Sequence, residues 1–295
     1  MKMLWTKANE KDFFIKSLEF ATPEQLFYVT SGKKLYAYWP KNYGGTKSTL
    51  QSRNSLIGTY TEKWTTNLFS EIAKKLRGYS VQGAICEEIG LTNQSPADVA
   101  ICKTKDIIQK PENIFMIAEV KMSIVWNWEY KQVNGKNKIN CVGDYKTHTG
   151  QPSLRRSDSM LKAIGKSINI RVSSYKAAKI PIIVIGNTPI NPGYFHKVDH
   201  LKRNGIIQGF WSVNPQPLDN NGENIENTPL NGFYRFDSYS ELENKSLELL
   251  KEEREFFSSR QSKKRLGEII EIANKEHSFE AKAEKFLELI KAVDN

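Results

Sequence analysis

Apolar positions recur at helical spacing between residues 57 and 77: Trp64, Leu68, Ile72 and Leu76 share one face, and Gly78 ends the run. That spacing predicts a long amphipathic helix. Three strand-like segments follow, at 79–86, at 98–102 after a Gln-Ser-Pro turn, and at 114–125, the longest. Residues 157–170 predict a second helix, with Ser157 or Asp158 near its cap. The uninterrupted run IPIIVI at 180–185 fits a strand covered on both faces of a sheet. A short helix at 196–203 stops at Asn204-Gly205, and a further strand spans 206–213.

The flanks are less regular. An aromatic strand is predicted at 35–39, and a turn-rich loop precedes a strand at 233–236. From residue 240 to 293 the chain reads as charged helix, with apolar positions at Leu247, Leu250, Leu266, Ile269, Ile270, Phe286, Leu289 and Ile290. Residues 126–156 form a polar insert rich in Lys and Asn, with few periodic signals. The order of elements predicts an α/β fold: a central mixed β-sheet flanked by helices, with a C-terminal helical appendage. The expected division is N-terminal elements at 1–52, a core at 53–239 and the appendage at 240–295, together one compact domain. No internal repeat is evident.

Charge sharpens this picture. The chain of 295 residues carries a net charge of +10. The stretch 121–211 holds 15 Lys and Arg against 4 Asp and Glu, whereas 241–295 holds 11 against 13. A solvated surface mixes the signs, but a block of one sign suits a polyanion. The three cysteines, Cys86, Cys102 and Cys141, are scattered and include no CxxC, which argues against a disulfide framework or a cysteine zinc cage. The N-terminus lacks the apolar core of a signal peptide, and no run approaches the roughly 20 apolar residues of a membrane span. A cytoplasmic protein is expected.

The candidate chemistry lies in IAEVKMS, 117–123. In a strand, Glu119 and Lys121 project from one face while Ala118, Val120 and Met122 pack on the other. Charges at the end of a central strand are costly unless they are paired or used. Asp98 opens the preceding strand, and antiparallel pairing would set it beside Glu119. Two such carboxylates form a hard oxygen site suited to Mg²⁺. A neighbouring lysine can orient a water or help deprotonate it, and the metal neutralises phosphate charge.

The residues SPAD, 95–98, and EVK, 119–121, each on a strand after a helix bearing Glu, resemble the PD-(D/E)XK nuclease superfamily. Residues 57–213 fit its order of helix, β-meander, helix and strand. The chain departs from the motif in that Pro96 is separated from Asp98 by Ala97. The resemblance implies a restriction-endonuclease-like core in which Asp98 and Glu119 hold Mg²⁺, the Val120 carbonyl is a further ligand and Lys121 positions the attacking water. It also implies an acidic residue from the first helix. Glu62 at the helix start is preferred, with Glu71, one heptad from Trp64, as the alternative.

Lys146, Arg155, Arg156, Lys162, Lys166 and Arg171 follow the motif and are expected to contact DNA phosphates, Arg155-Arg156 at a helix N-terminus that itself favours anions. The insert carries Trp126, Asn127, Trp128, Gln132, Asn134, Asn137, His148 and Gln151, several of them residue types that read base edges. Other patterns fail: GKS at 165–167 has Met160 where a phosphate loop needs Gly, and His196 and His200 lack both a motif glutamate and a third ligand.

By resemblance, the expected function is that of a bacterial or archaeal type II restriction endonuclease. Such an enzyme is a homodimer that hydrolyses double-stranded DNA to leave 5′-phosphate ends, with a DNA methyltransferase as genetic partner. A structure- or damage-directed nuclease of the same superfamily is an alternative. So is a nucleic-acid-binding protein with a decayed nuclease core, against which the intact Asp98, Glu119 and Lys121 argue.

Overall fold

The structure, a computed structural model, describes residues 3–216, 225–251 and 262–292. In chain order it contains α1 (Lys7–Ser17), α2 (Pro23–Leu26), β1 (Tyr28–Val29), β2 (Leu35–Tyr36), α3 (Gln51–Lys75), β3 (Tyr79–Ala84), β4 (Ala97–Cys102), β5 (Ile114–Val120), β6 (Asn127–Val133) and β7 (Lys136–Gly143). Then come α4 (Ser157–Ser173), β8 (Ile182–Gly186), α5 (Phe195–Arg203), β9 (Gly209–Ser212), β10 (Phe233–Arg235), α6 (Tyr239–Lys251), α7 (Lys263–Ala273) and α8 (Phe279–Ala292). Parts of the expected turn-rich loop, at 217–224, and of the charged helical stretch, at 252–261, lie outside the described residues.

The expected α/β class holds: a mixed sheet is flanked by helices. Six strands lie in the order β10-β9-β8-β5-β4-β3. β3, β4 and β5 form an antiparallel meander, and β5, β8, β9 and β10 run parallel. On one face, Leu68, Phe69 and Ile72 of α3 pack against Val99, Ile101, Met116 and Ala118. On the other, α4 contributes Ile170 to a cluster with Ala100 and Ile117, and Met160 and Ala163 to a second with Val184 and Phe210. The run at 180–185 is buried throughout, and its last four residues open β8, since both faces of the sheet are covered.

Three expectations change. The strand expected at 114–125 ends at Val120, because the polar groups beyond it find partners other than a strand ladder. The Ser123 N–H donates to Asn187 Oδ1 at 3.1 Å, and the N–H groups of Val125 and Trp126 donate to the Glu10 carboxylate at 2.6 and 3.2 Å. The insert is no irregular loop: β6 and β7 form a hairpin turned at Asn134-Gly135, both at positive φ, as tight hairpin turns require. That hairpin pairs with β2, so the N-terminal segment and the insert build one four-stranded sheet, β1-β2-β6-β7.

The C-terminal helices also divide. Leu242 and Leu249 of α6 belong to the main core, and Tyr239 Oη donates to the Leu68 carbonyl of α3 at 3.3 Å. α7 and α8 pack on each other, with Ile269 and Ile290 buried. No helix among the described residues is long and apolar enough to cross a membrane.

Candidate active site

Register places the charged residues. Val99 of β4 faces Ala118 of β5 in antiparallel pairing, so Asp98 and Glu119 meet at the adjoining step. Both point toward the α4 face, because Ala118 and Val120 occupy the α3 face. Asp98 Oδ2 accepts the Val120 N–H at 2.7 Å, which fixes the carboxylate against the end of β5.

Lys121 leaves the end of β5 and turns back. Its ammonium donates to Glu119 Oε1 at 2.5 Å and to the Val120 carbonyl at 3.3 Å, and lies 3.4 Å from Asp98 Oδ2. A second lysine enters from α4: Lys166 Nζ stands 3.1 Å from Asp98 Oδ1 and 2.7 Å from Glu119 Oε2. All four side chains are largely enclosed, with Glu119 at 6% exposure and Lys166 at 18%.

The electrostatics follow from this crowding. Burial, and then the Asp98 charge, push the Glu119 pKa above the usual carboxylate range, while the two lysines pull it down. Burial opposes the charge on Lys121, but Glu119 and Asp98 outweigh it and raise its pKa. Lys121 is therefore a firmly protonated donor rather than a proton acceptor at neutral pH.

Glu62 of α3 belongs to the same field. It is half-buried, accepts the Gln82 side-chain amide at 3.2 Å, and has its pKa raised by burial and then by Asp98. Glu71 faces away, with its side chain 44% exposed and paired with Lys74 at 2.9 Å. Being one heptad from Trp64 did not bring it to the core, because Trp64 is itself only partly buried, at the edge of the stripe that Leu68 and Ile72 centre.

The donor set fits a hard divalent cation. It offers two carboxylates and the Val120 carbonyl, with Glu62 nearby, although no cluster of three His, Cys, Asp or Glu side chains poised for a metal occurs among the described residues. Glu119 Oε2 is the informative atom. It is buried, and its partner is the Lys166 ammonium at 2.7 Å. Buried carboxylates are costly unless cations serve them, and here two ammonium groups hold the place that a metal ion would compete for.

The basic block does not act as one face. Lys166 belongs to the carboxylate site rather than to a phosphate-binding surface. The signal was present in the sequence, since Lys166 lies three residues after Ala163 and four before Ile170, inside the stripe that packs on the sheet. Arg171 is a structural residue: it is buried and donates to the carbonyls of Ile206 at 3.2 Å and Ala177 and to Gln208 Oε1 at 3.0 Å. Burial pushes its pKa down to about 10, which leaves it charged at neutral pH.

The other four cations remain accessible. Lys146 and Arg155 line a cleft of about 400 Å³ together with Lys41, Tyr145 and Gln151, and the Arg155 guanidinium sits over the Tyr145 ring at 4.9 Å. Arg156 and Lys162 both pair with Asp158 on the surface, at 3.4 and 3.1 Å. The cleft also takes Ile190 and Pro192 from the segment after β8, so it opens at the same carboxyl edge of the parallel strands as Glu119 and Lys121. That edge is where open α/β sheets bind ligands.

Several residues of the polar insert are buried, Asn127 among those of a base-reading type. Trp128 Nε1 donates to Glu10 Oε2 at 2.9 Å, Asn127 Oδ1 accepts the Tyr38 N–H at 2.9 Å, and Trp126 lies in the main core. His148 stacks on Tyr38 and accepts the Gly150 N–H at Nδ1, so its Nε2 donates to the Val125 carbonyl at 3.1 Å and the ring is neutral. Asn137 Oδ1 accepts the Tyr130 hydroxyl at 2.7 Å. Gln132, Asn134, Asn137 and Gln151 are exposed. His196 and His200 lie on the solvent side of α5.

Sequence reasoning missed the braces behind the site. Asn187, just past β8, accepts the Ser123 N–H and donates to the Ser123 carbonyl at 2.7 Å, clamping the segment that follows Lys121. Compared with family models, with curated proteins and with solved structures, the chain finds no match, and the centre of two carboxylates and two lysines is defined by its own geometry.

Proposed function

We propose that the protein is a Mg²⁺-dependent endodeoxyribonuclease of the PD-(D/E)XK type, acting as a type II restriction endonuclease on double-stranded DNA. One observation carries the reading: Asp98, Glu119 and Lys121 converge at the end of adjacent strands, with the lysine 2.5 Å from one carboxylate and 3.4 Å from the other.

In this reading Asp98 and Glu119 would hold Mg²⁺, with the Val120 carbonyl as a further ligand, and the ion would supply charge stabilisation for the phosphate and lower the pKa of a water. Lys121, held in its charged form, donates a hydrogen bond that orients that water for in-line attack. Glu62, with its pKa raised by burial and then by Asp98, is suited to accept the water's proton. Asp98 keeps its orientation through the Val120 N–H. Lys146 and Arg155 in the cleft, with Arg156 and Lys162 beside it, hold the DNA backbone. A homodimer would cut both strands, in a cytoplasm that also contains a matching DNA methyltransferase.

The test is incubation of the purified protein with phage DNA in Mg²⁺, in EDTA, and with Glu119→Ala. Discrete fragments formed only with Mg²⁺, and lost by at least ~100-fold in the variant, support a restriction enzyme. A smear, or cutting confined to branched DNA, would point to a structure-directed nuclease. Binding without cutting would remove both nuclease readings and leave a DNA-binding protein.

A further inference from the structure

We propose that Lys166 is a tethered counter-cation that occupies the divalent-ion position between Asp98 and Glu119 in the metal-free protein, so that a metal binds by displacing it. The inference rests on the metal-dependent reading of the site and extends it to how the metal gains entry.

The two lysines are not equivalent. Lys121 directly follows β5, two residues from Glu119, and its ammonium takes Glu119 Oε1 at 2.5 Å and the Val120 carbonyl at 3.3 Å. It meets Asp98 only through Oδ2, which the Val120 N–H already holds at 2.7 Å. The remaining oxygen of each carboxylate, Asp98 Oδ1 and Glu119 Oε2, is met by Lys166 from a separate helix, at 3.1 and 2.7 Å.

A divalent ion held by these carboxylates would need those same two oxygens, which are the ones not engaged by Lys121, and would compete with the Lys166 ammonium for them. The ammonium also fills the position imperfectly. It makes a hydrogen bond to Asp98 Oδ1 at 3.1 Å and pairs with Glu119 Oε2 at 2.7 Å, one charge shared by two carboxylates. A single charge shared between two carboxylates offsets less of their negative charge than a divalent ion would.

The arrangement has a sign that can be measured. With Lys166 in place, the two carboxylates are balanced by two ammonium groups. Removing one leaves a net negative pocket, which is less stable empty and binds a divalent ion more tightly. Lys166→Met keeps most of the stem that packs on the sheet and discards the charge. Isothermal titration of Mg²⁺ and Mn²⁺ into metal-free, DNA-free protein should show roughly tenfold or greater tightening in Lys166→Met. Lys166→Arg should bind no more tightly than wild type. Melting in EDTA should be lower for Lys166→Met than for wild type, and added Mg²⁺ should recover more of it.

A second measurement needs no variant. Amine acylation of wild-type protein, read by mass spectrometry, should label Lys166 more readily once Mg²⁺ saturates the site, because displacement frees its nitrogen.

If the wild type binds Mg²⁺ while Lys166→Met binds it no more tightly, the inference is overturned and the nuclease reading stands. Unchanged Lys166 labelling at saturating Mg²⁺ overturns it in the same way. If neither protein binds Mg²⁺ or Mn²⁺ and wild type cuts no DNA, the metal-dependent reading fails, and this inference with it.

Discussion

At the scale of single residues, burial separates groups that look alike in the sequence. Glu62 and Glu71 sit on one helix, yet Glu62 lies in the field of Asp98, Lys121 and Lys166 while Glu71 is paired with Lys74 at the surface. If the proposed chemistry holds, Glu62→Gln should slow DNA cleavage by about 10- to 100-fold and Glu71→Gln should change it by less than about twofold, as measured by initial rates at saturating Mg²⁺. Arg171 makes a similar point among the cations. Its guanidinium serves two buried carbonyls and a buried glutamine oxygen, so Arg171→Ala should cost about 2–4 kcal/mol in urea unfolding. DNA affinity of the variant that remains folded should be unchanged, the reverse of what a phosphate-binding role would produce.

At the scale of elements, α1 is tied to the candidate site through one carboxylate. Glu10 is fully buried and accepts four N–H groups, from Val125, Trp126, Trp5 and Trp128. It thereby joins α1 to the segment after β5 and to β6. Glu10→Ala orphans these donors and should cost about 3 kcal/mol or more, seen as a drop in melting temperature.

Burial pushes the Glu10 pKa up to about 7, against the pull of its four donors. Because the folded state then holds a proton that the unfolded chain has already released, this residue's contribution is fully present below the ordinary carboxylate value near 4.5 and declines as pH rises through about 7. Relative to Glu10→Gln, which does not titrate, wild-type protein should lose stability from about pH 4.5 to pH 7, as followed by urea midpoints across that range. Some of this level was legible in the sequence. The helices at 57–77, 157–170 and 196–203 exist close to where periodicity put them, because a long apolar stripe can be buried in few ways. The Asn134-Gly135 hairpin was also legible, being a strong local turn signal, but the polarity of the insert masked it.

At the scale of the whole molecule, the excess positive charge is dispersed among several roles. Of the six cations expected to bind phosphate, Lys166 neutralises the candidate site and Arg171 braces the core. Lys146 and Arg155 line the cleft, and Arg156 and Lys162 share Asp158 at the surface. Replacing Lys146, Arg155, Arg156 and Lys162 together with Ala should weaken DNA binding. It should also shallow the salt dependence by up to ~0.9 in log–log slope for each phosphate no longer neutralised, measured by fluorescence anisotropy with the Glu119→Ala protein. A matched Lys263→Ala, Lys264→Ala control on α7 should leave the slope near its original value.

The sequence by itself determined the α/β class, the order of the principal elements and the meeting of Asp98 with Glu119, because each follows from local periodicity and strand alternation. Only the tertiary structure decided that a lysine 45 residues beyond Lys121 shares the same carboxylates. It also decided that the N-terminal segment and the insert build one sheet, and that a glutamate near the start of the chain holds the segment behind the motif strand. These interactions join residues far apart in the chain. Their partners are selected by packing and by the need to satisfy buried polar groups, neither of which leaves a local pattern.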